Sequence, residues 1–405
     1  MLEDFGLTTS DFYGSASDSG GDVKYMLSSA LNLKWEWCFA HMTHAATKMS
    51  CGVNGKKSRE ANPDMAELIT KMTRVITQVK LVSTAGDLFS ELCKSKTKGA
   101  STRLLGYSTS RFLSMTNAMK SVLAKWPAIV SWYEERGRQA VRDRKPPPDF
   151  PLESHHTDLV HVLSILTPIA DIKFKCQAER AEQVEVLMSL YMSRIDELGH
   201  DQPVPHYLST EKKPEWISAS SLTPLASKTR DLLRDSLDEP FFSRYYTDSK
   251  FDTCDFALEM MLKLHPIYKD TQESLNRAVV MCCRQHGKTG RDAVERLREV
   301  NAKISSNLLS LLKSVAEPLE AAEEQADSSV ARLSRLEARF APRADRPATT
   351  SRVDRRAEDE LDRWLEDPIG VQRNADMTPK ESVLQFWKRL EGSGECRLIP
   401  KAVRV

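Results

Sequence analysis

The chain has 405 residues, 40 % of them hydrophobic and 28 % charged, with 58 Lys and Arg against 57 Asp and Glu. That length holds two or three domains with their own cores, and a net charge of +1 excludes a protein drawn to nucleic acid by its global field, leaving only local patches. No run approaches the ~18 apolar residues of a membrane span, Glu3 and Asp4 stand where a signal peptide is basic and then apolar, and the eight scattered cysteines fit reduced thiols. The expectation is a nuclear or cytoplasmic protein with neither a membrane nor a small-molecule substrate as partner.

Taken in order, residues 1–54 carry the α/β character. Phe5 to Tyr13 predicts a short strand. Asp18-Ser-Gly-Gly-Asp22 then marks a turn. Val23, Met26, Leu27, Ala30 and Leu31 repeat at helical spacing, and Trp35 to Phe39 reads as a second strand. A helix beginning near His41 would gather Cys38, His41 and His44 at a strand–helix junction, where α/β sheets build their sites. Cys-x-x-His is a permitted zinc spacing, but a lone Cys51 after two histidines on one helix is no standard finger, so no metal site is expected.

From Asp64 the period becomes 3.6 residues. Met65, Leu68, Ile69, Met72, Val75, Ile76 and Val79 form one stripe, started by Asn62-Pro63. Lys94 to Gly99 reads as an exposed loop, and Phe112 to Tyr133 as a long helix kinked at Pro127. Basic residues and Pro146-Pro147-Pro148 make 137–151 a first boundary. Helices at 159–166, 184–198, 256–264 and 294–315 follow, the last ending at Pro318, with a proline-rich loop at 200–224 that Trp216 and Ile217 anchor. Residues 341–350 form a polar linker. Trp364, Leu384, Phe386 and Trp387 belong to two short amphipathic segments beyond it, a candidate dimerisation face if unpaired.

Asp18 and Cys38-Phe-Ala-His41 resemble the Asp and the Cys-x-x-His of the hAT transposase superfamily. Arg103-Leu-Leu-Gly-Tyr-Ser108 resembles that family's Arg-Trp-x-Ser block, with Leu104 where Trp is usual. Leu163 to Pro168, Leu258 to Lys269 and Leu384 to Lys388 are further matches. The resemblance implies a ribonuclease H-like catalytic domain, truncated at both ends, with a helical insertion and the start of a C-terminal dimerisation region. The expected fold is therefore mainly α-helical, with a partial ribonuclease H-like α/β element at the N-terminus. The expected domains are 1–54 (the α/β segment), 55–150 (its helical continuation), 151–345 (the helical insertion) and 346–405 (linker and incomplete dimerisation region).

Intact family members cut DNA with Mg or Mn held by three carboxylates. Asp18 falls on one of those positions, while only seventeen residues precede it and the position of the third lies past the chain's last residue. A single carboxylate cannot hold two metals, so the expectation is a domesticated, catalytically inactive protein that takes no metal cofactor. Its candidate partners are DNA and a second copy of itself. Candidate phosphate contacts are Lys56, Lys57 and Arg59, then Lys94, Lys96 and Lys98, then Arg136, Arg138 and Arg142. An active nuclease and a helical scaffold that binds no nucleic acid are the alternative expectations.

Overall fold

A computed structural model describes residues 6–81, 83–97, 102–108, 111, 113–178, 182–210, 212–330, 352–366, 371, 374, 380–393 and 396–403. The protein is mainly helical, with a small parallel two-stranded sheet near the N-terminus. Its chain forms two compact units. One comprises residues 1–16, 21–36 and 244–405, the other residues 17–20 and 37–243.

The sheet pairs β1 (Gly14–Ser17) with β2 (Lys34–Trp37). The sequence predicts the first strand over Phe5 to Tyr13, but Thr9–Asp11 is a 3-10 turn and the strand begins at Gly14. The small residues explain the shift, because a Cβ on Gly14 would lie 2.9 Å from the Lys34 carbonyl oxygen. Only glycine allows the two strands so close at that point. The crossover carries α1 (Gly21–Tyr25) and a π-turn, Met26–Ala30, in which no residue is buried.

In the larger run, 37–243, α8 (His156–Cys176) is the central helix. Leu159, Val162, Leu163, Ile165, Leu166, Ile169 and Ile172 are all buried, so apolar residues cover every side of it. Packed on it are α2 (Phe39–Ser50), α6 (Ser114–Ala124), α9 (Gln183–Met192) and α10 (Pro224–Leu237). The short α3 (Gly55–Ala61) and the longer α4 (Pro63–Leu81) leave α2 through a tight bend. Gly52 takes φ +71°, and a Cβ there would sit 2.5 Å from the Asn62 carbonyl oxygen. The buried Asn62 amide fixes the bend by donating to the Ser50 carbonyl (2.7 Å) and to Thr229 Oγ1 (3.0 Å).

The remainder of this unit departs from expectation in instructive places. α5 (Ser83–Lys96) carries Lys94 and Lys96 in its last turn, where a loop was expected. The long helix around Pro127 is two, α6 and α7 (Trp126–Arg142), because the proline fits only the first turn of a new helix. After α9 the chain makes a π-turn, and the proline-rich stretch folds as a hairpin of β3 (Val204–Pro205) and β4 (Trp216–Ile217). Ile217 anchors it at 6 % exposure, whereas Trp216 is 63 % exposed. Arg194 and Asp238 are buried and joined by two 2.7 Å hydrogen bonds, a fork-to-carboxylate pair.

The second unit is built on α15 (Gly290–Val330), which runs through Pro318 instead of ending there. Its buried stripe is Ala293, Val300, Ile304, Leu308, Leu312 and Ala316, while Val294 from the expected stripe is exposed. α13 (Ala257–Lys263), α14 (Gln272–Gln285) and α16 (Arg352–Glu366) pack along it. The short α11 (Ser243–Tyr246) and α12 (Asp248–Thr253) precede α13, and α17 (Val383–Ser393) and α18 (Ile399–Ala402) follow α16. Glu36 of β2 accepts two hydrogen bonds from Arg244 (2.9 and 2.7 Å), and Tyr245 donates to the fully buried Glu259 (2.6 Å). Burial pushes the Glu259 carboxyl up. The expected linker at 341–350 lies outside the described residues.

Candidate functional site

Asp18 follows β1 directly, and Cys38 follows β2 directly. The Cys38 amide donates to the Ser17 carbonyl (2.7 Å), so Asp18 and the Cys38–His41 turn do meet at the same end of the sheet. There Asp18 is exposed, and its Oδ1 accepts the Gly20 N–H at 3.1 Å. The carboxylate thus closes its own turn, the ordinary use of Asp in such a loop. Among the described residues no three His, Cys, Asp or Glu side chains gather to hold a metal. Asp18 belongs to no such group among the described residues. Cys38 precedes α2 and Cys51 follows it, so roughly 18 Å of helix separates them and rules out a shared zinc.

The C-terminal aromatics are taken up within the chain. Trp364, Phe386 and Trp387 are each at most 1 % exposed, with Trp364 and Trp387 ring centres 4.6 Å apart. Lys269 lies 4.1 Å over the Trp364 ring and donates to its carbonyl at 2.8 Å. Only Leu384, at 66 % exposure, faces solvent.

The basic clusters differ in their surroundings. Arg138 and Arg142 share Glu135 (3.2 and 3.4 Å), and Arg136 donates to Gln139. Lys94 and Lys96 project from the end of α5, Arg103 is exposed, and Lys98 lies outside the described residues. Lys57 is exposed on α3. Lys56 and Arg59, also on α3, instead border a groove of ≈ 1050 Å³.

That groove is made by a simple geometric consequence of α4. Its apolar stripe faces the core, so Thr70, Thr73, Arg74 and Thr77 fall on the opposite side at helical spacing. α3 closes one flank with Lys56 and Arg59, and Gly52, Val53, Ala66 and Ile69 form an apolar floor. Gln78 and Tyr107 complete the lining, and Gln78 is held by the Tyr133 hydroxyl. Three cations line the groove and no carboxylate does. Arg59 and Arg74 have no carboxylate partner among the described residues, and Lys56 has only Glu60 at 3.8 Å, with both side chains largely exposed. Lys56 and Arg59 are legible in the sequence as a basic cluster, whereas Arg74 and Tyr107 are not. Arg74 is a single cation in an amphipathic helix, and Tyr107 is brought over from the segment after α5. No matching family model and no matching curated protein were found for this chain.

Proposed function

We propose that this protein binds the phosphodiester backbone of nucleic acid through the Lys56–Arg59–Arg74 groove, without cutting it, and descends from a hAT-type transposase acting in the nucleus. The observation that carries the reading is a concave site with three cations and no lining acid. Such a lining attracts polyanions even where the net charge is near zero. The Thr77 hydroxyl beside the cations suits the neutral hydrogen bonds that accompany phosphate contacts, whereas those of Thr70 and Thr73 donate to the Ala66 and Ile69 carbonyls. The ancestry is supported by Asp18 and Cys38–His41 at the ends of paired parallel strands.

The test is binding of fluorescent oligonucleotides to the full chain and to a Lys56→Ala, Arg59→Ala, Arg74→Ala variant. Loss of binding at ~50 mM salt is expected for that variant. A Lys94→Ala, Lys96→Ala variant should bind as the parent does. Equal binding by the groove variant and the parent would sink the assignment.

A further inference from the structure

The groove has two chemistries in one concavity. Its cations come from α3 and from Arg74, while its floor is apolar, formed by Val53, Ala66 and Ile69. Tyr107 adds to the floor in an unusual way. Its hydroxyl is shielded from solvent and has no hydrogen-bond partner among the described residues. What Tyr107 offers the groove is therefore ring surface, not a polar tip. Burial accordingly pushes its phenol up. A duplex is a convex rod with its bases stacked inside, so it would meet the cations and leave this floor empty. A single strand can turn a base out against an aromatic or apolar wall while its phosphates pair with cations at the rim.

Resting on the phosphodiester-binding reading above, we infer that the groove takes a single strand of nucleic acid in preference to a duplex, with a base lying against Tyr107 and the neighbouring phosphates on Arg59 and Arg74. The volume, ≈ 1050 Å³, stands at the upper end of what concave ligand sites enclose. It has room for a short stretch of strand.

The experiment measures fluorescence anisotropy of the full chain with labelled oligothymidylate of about 12 nucleotides and with a hairpin duplex of matching length. At ~50 mM salt the strand should bind at least about tenfold tighter than the duplex. Tyr107→Ala should weaken strand binding about tenfold and leave the salt dependence unchanged, because no charge is lost. Tyr107→Phe should restore the affinity to within about twofold of the parent, since the ring is kept. Thr73→Glu, on the exposed face of α4 where folding is not at stake, should abolish strand binding. Equal affinity for strand and duplex, with both weakened by the cation-removing variant, would overturn this inference while the phosphodiester reading stood. Binding of neither form would overturn both.

Discussion

At the scale of single residues, the charges inside this protein have the clearest consequences. Lys173 is 2 % exposed, and its amine donates to Thr47 Oγ1 at 2.9 Å. Burial lowers its pKa to about 8 from 10.5. The folded state therefore releases this proton more readily than the unfolded state. Between pH ~8 and ~10.5 the unfolded chain binds more protons, so stability rises with pH across that window. Below pH ~8 the cost of the buried charge is fully present, on the order of 3 kcal/mol. Lys173→Met should accordingly be more stable than the parent at pH 7, and the gap should shrink as pH climbs toward 10. Urea midpoints at several pH values measure it, and a gap independent of pH would refute the argument. The buried Arg194–Asp238 pair behaves oppositely to a removable charge. Asp238→Ala removes both fork contacts of a buried guanidinium and should cost about 3–5 kcal/mol, read as a fall in the urea midpoint.

At the scale of elements, Gly14 shows how one residue sets a strand. A Cβ there meets the Lys34 carbonyl oxygen at 2.9 Å, so Gly14→Val should break the β1–β2 pairing. The Cys38 amide, now bonded to the Ser17 carbonyl, should then lose its protection from hydrogen exchange while amides of α8 keep theirs. The aromatic cluster gives a second element-level prediction. Trp364 contacts Phe386 and Trp387 within the chain, and its indole N–H donates to the Lys263 carbonyl. Trp364→Ala should lower stability by about 3–5 kcal/mol at every protein concentration. A melting temperature that moved with protein concentration would instead mark these residues as a dimer interface.

The same elements show what could be read in advance. The stripe from Met65 to Val79 is buried throughout as its period requires, because α4 has one core face and nothing competes with it. The stripe on α15 was legible only in part. Small Ala293 and Ala316 take the buried ends of its interface, and hydropathy ranks them below the exposed Val294. The first strand was misplaced because Gly-Ser-Ala-Ser has little strand propensity, and its pairing depends on the absence of a side chain. In the candidate groove, α3 announced itself as a Lys and Arg cluster. Arg74 and Tyr107 did not, since their proximity to it follows from tertiary packing alone.

At the scale of the whole molecule, 58 basic and 57 acidic residues nearly cancel, so long-range attraction to a polyanion is weak and local geometry has to supply the affinity. That makes the salt dependence a count of groove contacts. If Lys56, Arg59 and Arg74 each neutralise one phosphate of a single strand, log K should fall with log salt at a slope of about −2. Raising salt from ~50 to ~200 mM should then weaken binding about 20-fold. Removing Arg74 alone should flatten the slope by about 0.7, and removing Arg59 and Arg74 together by about 1.4. The arginines of α7 enter this count differently, because Arg138 and Arg142 already face Glu135. Replacing both with alanine should leave the slope where it was, and a slope that fell by more than one on that change would move the binding face from the groove to α7.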